Sequence, residues 1–75
     1  DRIRVNCVCP GPTSLPLTPS DARDLAGTAK RMPTGRVGTP SDVAEAVIYM
    51  LSDASQHVTG TILPIDGGLH LTGGL

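Results

Sequence analysis

Two short apolar runs rich in β-branched residues frame this chain, and a strongly amphipathic stretch lies between them. The first, Ile3-Arg4-Val5-Asn6-Cys7-Val8-Cys9, stops at Pro10-Gly11, and the second, Val58 to Ile65, stops at Asp66-Gly67-Gly68. Such runs bounded by Pro-Gly and Gly-Gly predict strands, here over 3–8 and 60–65. An apolar run, a helix and a second apolar run read as a parallel strand–helix–strand crossover. Alternation places Ile3, Val5, Cys7 and Cys9 on one face of the first strand and Arg4, Asn6 and Val8 on the other. Pro64 cannot donate to a ladder, so the second strand is expected at the edge of its sheet.

The connection carries two helix starts of the same chemistry. Pro10, Gly11 and Pro12 end the first strand, and Pro16 and Pro19 keep the chain extended or turning, because the residue before a proline avoids the helical region. Thr18-Pro19-Ser20-Asp21 then supplies a threonine N-cap, a proline at the first helical position and an acidic residue in the first turn. The helix it opens, Asp21 through Met32, contains Gly27 and Thr28 and little apolar periodicity, so its stability depends on contact with something else. It reads equally as a mobile lid or as an ordinary surface helix. Thr39-Pro40-Ser41-Asp42 repeats the cap and opens a helix over 40–52. There Val43, Ala44, Val47, Ile48 and Leu51 form one stripe, and Ala46 and Met50 broaden it enough to imply more than one neighbour. Ser52 to His57 is a polar turn. Gly67, Gly68, Gly73 and Gly74 predict a flexible tail, with Leu69, Leu71 and Leu75 free to dock on a neighbouring surface.

Composition changes this picture in one respect: the chain has strands to bury and too few helices to bury them. A parallel pair is normally covered on both faces. A chain of 75 residues buries only ~60% of its unfolded surface, and Tyr49 is the sole aromatic. With Asp1 first and no methionine before Met32, the sequence reads as the C-terminal piece of a larger α/β domain. A net charge of −1 from six basic and seven acidic residues, scattered along the chain, offers no footprint for nucleic acid or an anionic membrane. No apolar run approaches a membrane span. Cys7 and Cys9 share a strand face and are expected to pack as small apolar groups in a reducing, cytoplasmic setting. Acting instead as metal ligands, they need two further partners, and His57 and His70 lack the spacing of any common zinc pattern.

Candidate chemistry is concentrated after the first strand. Ligands of open parallel sheets collect outside the carboxyl ends of the strands, which is where Pro10 to Ser14 falls. Gly11 permits close backbone approach and the prolines fix the shape, which suits contact with a flat ring, although Pro-Gly after a strand is also an ordinary turn. Neither Gly35-Arg36-Val37-Gly38 nor the 67–74 region matches a phosphate-binding loop, and no nucleophile elbow is present. Tyr49 lies on the patterned helix with no lysine at the next turn, so it reads as a packing residue sooner than a catalytic acid. No catalytic residue and no metal ligand is assigned.

Taken together, Arg4-Val5-Asn6, Pro10-Gly11, Pro33-x-Gly35-Arg36-x-Gly38-x-Pro40-x-Asp42-Val43-Ala44, Ser52-Asp53, Val58-Thr59-Gly60 and Asp66-Gly67-Gly68 resemble the C-terminal part of a short-chain dehydrogenase/reductase. The resemblance runs in order through nearly the whole chain. It implies an α/β fold in which these residues are the C-terminal βαβ portion of a Rossmann-like doubly wound parallel sheet: its sixth strand, substrate loop, last long helix and seventh strand. It implies NAD or NADP as cofactor, with Pro10 and Gly11 against the nicotinamide ring, Pro12 beside them and the Thr13 backbone on the carboxamide. Residues 12–38 then form the lid over a small carbonyl or alcohol substrate. The helix from Pro40 and the strand to Ile65 form a subunit contact of a homodimer or homotetramer. The family's glycine-rich turn and its catalytic serine, tyrosine and lysine lie upstream of this segment. Two positions depart from the pattern. Leu15 stands where a cofactor-holding threonine is usual, leaving that contact to Ser14 or Thr18, and His57 stands where an aromatic or apolar residue is commoner. A competing reading is a non-catalytic module that docks onto a full-length subunit.

The isolated 75-residue polypeptide is expected to show neither a cooperative thermal transition nor nicotinamide turnover, because the rest of the sheet and the cofactor loop are missing. Calorimetry and an absorbance assay check this, and a sharp transition accompanied by turnover would refute it.

Overall fold

Two strands, β1 (Cys7–Pro10) and β2 (Ile62–Ile65), run parallel in the register Cys7↔Ile62 to Pro10↔Ile65. This computed structural model describes residues 2–14 and 19–73. The Cys7 N–H donates to the Thr61 carbonyl at 2.9 Å and the Gly11 N–H to that of Ile65 at 3.0 Å. Odd-numbered residues therefore exchange the ladder bonds, and even-numbered Pro64 turns its nitrogen away from β1. A proline needs that placement in a strand.

The ladder is shorter at its start than the apolar run from Ile3 suggests. Gly60 adopts φ +71°, a left-handed conformation that costs glycine little and turns the second chain away from β1. Val5 is held there by a donated bond from the Gly60 N–H at 2.8 Å and by donating its own N–H to Thr59 Oγ1 at 3.1 Å. Ile3 and Val5 are left exposed.

α1 spans Pro19–Ala29 and α2 spans Pro40–Leu51. α1 ends three residues before Met32, and its expected cap, Thr18, lies outside the described residues. α2 has the expected capping box. Thr39 Oγ1 accepts from the Asp42 N–H at 3.2 Å, and Asp42 Oδ2 accepts from the Thr39 N–H at 2.8 Å. Two orphan donors of the first turn are thereby satisfied. α2 packs on both strands, through only part of the broad stripe expected from sequence. Val43, Ala46 and Met50 are half-buried, whereas Ala44, Ile48 and Leu51 are exposed, Leu51 by 79%. The helix has two apolar sides, and the strand pair covers one.

Arg4 and Asn6 lock the return from α2 to β2. The Arg4 guanidinium donates to Met50 O, Val58 O and Ser55 Oγ at 3.1 Å and to Ser52 O at 3.4 Å. Ser55, in a short 3-10 helix over Asp53–Ser55, is fully buried and donates back to the α2 end. Asn6 donates to Val58 O at 3.0 Å and accepts from the Thr61 N–H at 3.0 Å. The last carbonyls of α2 thus meet a cation, favourable for both the unpaired groups and the helix dipole.

The apolar core of the described residues is Met32 and Leu69. Leu69 opens a second 3-10 helix, Leu69–Thr72, so residues 69–72 are not the flexible tail expected from the glycines. Gly67 and Gly68 make a tight turn, with φ +61° and +86°, that folds Leu69 back. Leu71 stays exposed and Leu75 lies outside the described residues. Cys7 and Cys9 are likewise not packed in a core. Both are exposed, with their sulfurs 3.8 Å apart on one face of β1.

The fold measures 48 × 27 × 15 Å with a radius of gyration of 14.5 Å, where a compact chain of this length has about 11 Å. A thickness of 15 Å accommodates one helix layer on one sheet layer, since packed layers lie ~10 Å apart. No helix among the described residues is long and apolar enough to cross a membrane.

In the natural polypeptide that carries these residues, Arg4→Ala is expected to cost about 2–3 kcal/mol, since it removes charge-assisted bonds and strands buried acceptors. Thr39→Ala, which removes only a cap, is expected to cost about 1 kcal/mol. Urea unfolding measures both, and equal costs would contradict the role assigned to Arg4.

Candidate functional site

The carboxyl ends of β1 and β2 and the N-terminus of α2 meet at one edge of the sheet, and the residues after each strand are bound to one another there. Gly11 follows β1 directly. A Cβ built on it would lie 2.6 Å from Asp66 Cβ and 2.8 Å from Asp66 Cα. The glycine is therefore required by the close approach of the two strand ends, an internal reason in addition to the close ligand contact expected from sequence.

Thr13 closes the turn by donating from Oγ1 to the Gly11 carbonyl at 2.9 Å. It also pairs with Gly38 in a single parallel bridge. In that bridge the Gly38 N–H donates to Pro12 O at 2.9 Å and the Ser14 N–H to Gly38 O at 2.8 Å. Parallel pairing of this kind leaves the Thr13 N–H and C=O directed away from Gly38. Among the described residues neither has a backbone partner. Pro10, exposed, and Gly11, Pro12 and Thr13, each half-buried, so form a continuous surface with an apolar ring at one end and an unpaired peptide group at the other. That donor set fits a flat ring bearing a carboxamide. Leu15 and Thr18 lie outside the described residues; Ser14 uses its N–H on Gly38.

The bridge hands the chain to the cap of α2. Arg36 donates to Asp42 in a bidentate pair, Nη1 to Oδ2 at 2.7 Å and Nη2 to Oδ1 at 3.2 Å. The Arg36 guanidinium, and next the Thr39 N–H, hold the Asp42 carboxyl well below the usual carboxylate range, while Asp42 raises Arg36. Asp66 organises the turn after β2. Its Oδ1 accepts from the Gly68 N–H at 3.0 Å, and its Oδ2 accepts from the His70 N–H at 3.0 Å and lies 2.8 Å from His70 Nδ1. Burial pushes the Asp66 carboxyl up, but the bonds from the His70 side chain and from the His70 and Gly68 N–H groups outweigh it and leave it lowered. A groove of about 560 Å³ runs between these two clusters, lined by Thr34, Arg36, Asp42, Asp66, Gly67 and His70 among others.

Other sequence candidates fall elsewhere. Tyr49 sits near the far end of α2, ten residues from the Thr39 cap and so roughly 15 Å along the axis. His57 is exposed beyond the Asp53–Ser55 turn, at the same far end. The Cys9 thiol is pushed up by its hydrogen bond with Cys7, which disfavours the thiolate that a nucleophile or metal ligand requires. No group of three or more potential metal ligands occurs among the described residues. Sequence reasoning assigned Asp66 no role, although an aspartate before two glycines at a strand end is a recognisable side-chain cap.

The family model described as enoyl-(acyl carrier protein) reductase matches residues 1–70. The 3-oxoacyl-(acyl-carrier-protein) reductase FabG of Thermotoga maritima is 46% identical over 70 residues, covering 89% of this chain and 28% of that protein. Cis-4-hydroxycyclohexanecarboxylate dehydrogenase of Sinomonas cyclohexanicum is 48% identical over 67 residues, covering 88% of the chain and 27% of that protein. Among solved structures, the ligand-free aldohexose dehydrogenase of Thermoplasma acidophilum superposes with a TM-score of 0.81 at 31% identity, covering 91% of this chain and 31% of its own. An oxidoreductase of the short-chain dehydrogenase/reductase family from Burkholderia thailandensis gives 0.77 at 40% identity, with 88% and 27% covered. The chain thus spans between a quarter and a third of the length of these relatives.

Because the Asp42 carboxyl is lowered in the fold, its contribution to stability is fully present above its unfolded value near ~4. That contribution is lost as pH falls from there toward its folded value. The melting-temperature gap between the native protein and Asp42→Asn should therefore be widest at neutral pH and shrink in acid; a gap that widens in acid would contradict the pairing with Arg36.

Proposed function

The chain belongs to the short-chain dehydrogenase/reductase family, a family of oxidoreductases, and from that premise we propose that it is the nicotinamide-side part of an NAD(P)-dependent enzyme interconverting a carbonyl and an alcohol. The observation that carries the reading is the Pro10–Thr13 surface at the carboxyl end of β1, with the Thr13 peptide groups unpaired among the described residues and directed away from Gly38. Pro10 and Gly11 lie against the nicotinamide, Pro12 fixes the turn, and the Thr13 N–H and C=O hold the carboxamide. The cofactor, NAD or NADP, supplies the hydride when bound. These residues orient its ring and shield one side from water, and proton transfer belongs to the family's serine, tyrosine and lysine, which lie outside this segment. Residues 12–38 serve as the substrate lid in this reading.

The substrate is a small carbonyl or alcohol compound. The relatives named above act on an oxoacyl carrier protein, a hydroxycyclohexanecarboxylate and aldohexoses, all of them carbonyl or alcohol chemistry. Assembly as a homodimer or homotetramer through α2 and β2 is supported by exposed Ile48, Leu51 and Ile62. The same apolar surface favours a second reading, in which a chain of this length docks on a full-length subunit without catalysis. Two unpaired cysteines suit a cytoplasmic setting.

The test uses the natural polypeptide, NADH and NADPH, and a carbonyl panel of a 3-oxoacyl thioester, a cyclic ketone and an aldose. Turnover with at least one pair is expected, and none with any pair would defeat the enzymatic reading. Thr13→Pro deletes the outward N–H without removing a bridge bond, and is expected to raise the cofactor Kd about tenfold, the loss of roughly one hydrogen bond, relative to Thr13→Val, which like it loses the Oγ1 bond to Gly11 but keeps the N–H. An unchanged Kd would defeat the assignment of Thr13.

A further inference from the structure

The best-buried apolar side chain among the described residues lies outside the sheet. Met32, 4% exposed, follows α1 and rests on the turn after β2. Two reverse-turn bonds carry the chain off the helix axis, from the Arg31 N–H to Thr28 O at 2.9 Å and from the Met32 N–H to Ala29 O at 3.2 Å. The Gly35 N–H then donates to Met32 O at 2.8 Å and the Thr34 N–H to Gly67 O at 3.1 Å. A Cβ built on Gly67 would lie 2.9 Å from Met32 Cε and against Thr34 Oγ1, and one on Gly68 would lie 3.0 Å from Pro33 Cγ. Met32 to Thr34 therefore occupies the space that side chains at Gly67 and Gly68 would fill. The neighbouring residue of the same turn, Asp66, is the one against which Gly11 packs.

One turn thus meets the Pro10–Thr13 loop through Asp66 and the foot of α1 through Gly67 and Gly68. Resting on the functional reading above, we propose that Met32 is a positioning residue for the carbonyl substrate: seated on Gly67, with Pro33 beside it over Gly68, it sets the foot of α1 relative to the Pro10–Thr13 loop. Its thioether side chain is flexible and apolar, suited to filling an irregular gap between glycines. It has no strong hydrogen-bonding group to offer a ligand, so its effect passes through α1. Misplacement of a substrate-holding element by ~1 Å is enough to cost a large factor in rate. The two glycines, flexible in prospect from sequence, are in this account the seat of an anchor.

The experiment compares Met32→Ala and Met32→Leu in the natural polypeptide. By hydrogen exchange, amides of α1 should exchange about tenfold faster in Met32→Ala and return near the native rate in Met32→Leu, with α2 amides unchanged in both. In kinetics with NADPH or NADH and the panel carbonyl of highest turnover, Met32→Ala should raise the carbonyl KM about tenfold, leaving the cofactor Kd unmoved. Native-like exchange of α1 in Met32→Ala, or equal acceleration of α1 and α2, overturns the anchor. An unmoved carbonyl KM, or a cofactor Kd that rises in step with it, overturns the positioning role. If the native polypeptide binds neither nucleotide, the functional reading fails and the substrate role with it, while the exchange pattern still decides independently whether Met32 anchors α1.

Discussion

The Arg4 guanidinium is the interaction on which this arrangement depends. It gathers four acceptors, from Met50, Ser52, Ser55 and Val58, at the point where the chain leaves α2 and turns toward β2. With Asn6 bound to Val58 and Thr61, it ties residues ahead of β1 to the entry of β2 more than fifty positions later. Such a long closure is entropically costly, and the ladder it secures is only four residues long. The register is fixed by side chains below the ladder as much as by the ladder itself. Without it, the carboxyl ends of the strands would not be brought level.

At the opposite end of the sheet the constraint is steric. Gly11 has no side chain because Asp66 stands there, and Gly67 and Gly68 have none because Met32, Pro33 and Thr34 do. Three glycines read as signs of turning or flexibility mark places where the backbone is most tightly contacted. Asp66 holds its own turn through Gly68 and His70, so the surface offered by Pro10–Thr13 is supported from beneath by a rigid cap.

The exposed apolar surface is the complement of these two constraints. Ile3, Val5, Ile48, Leu51 and Ile62 are uncovered, and Cys7 and Cys9 open onto the same medium. A parallel sheet is normally buried on both faces. The relatives that this chain matches are about three times as long, which agrees with a βαβ unit of a larger Rossmann-like sheet.

Apolar alternation and cap chemistry were sufficient, from sequence, for the parallel crossover and the Thr39–Asp42 box, because these are local effects of backbone sterics and of side chains within four residues. The ordered motifs from Arg4 to Gly68 were sufficient for the family. Other features depended on distant partners that periodicity cannot register. Arg4 and Asn6 read as the polar face of a strand, yet their acceptors lie more than forty positions away. The side of α2 that packs is the part of the broad stripe carrying Val43, Ala46 and Met50, while the part carrying Ala44, Ile48 and Leu51 stays exposed, because a helix with two apolar sides turns toward whichever surface the sheet presents. Met32 and Leu69 became the core through the left-handed Gly67-Gly68 turn. By itself the sequence determined the elements, their order and the family; the tertiary structure alone decided which side chains and peptide groups face one another, since that follows from packing between residues remote in the chain.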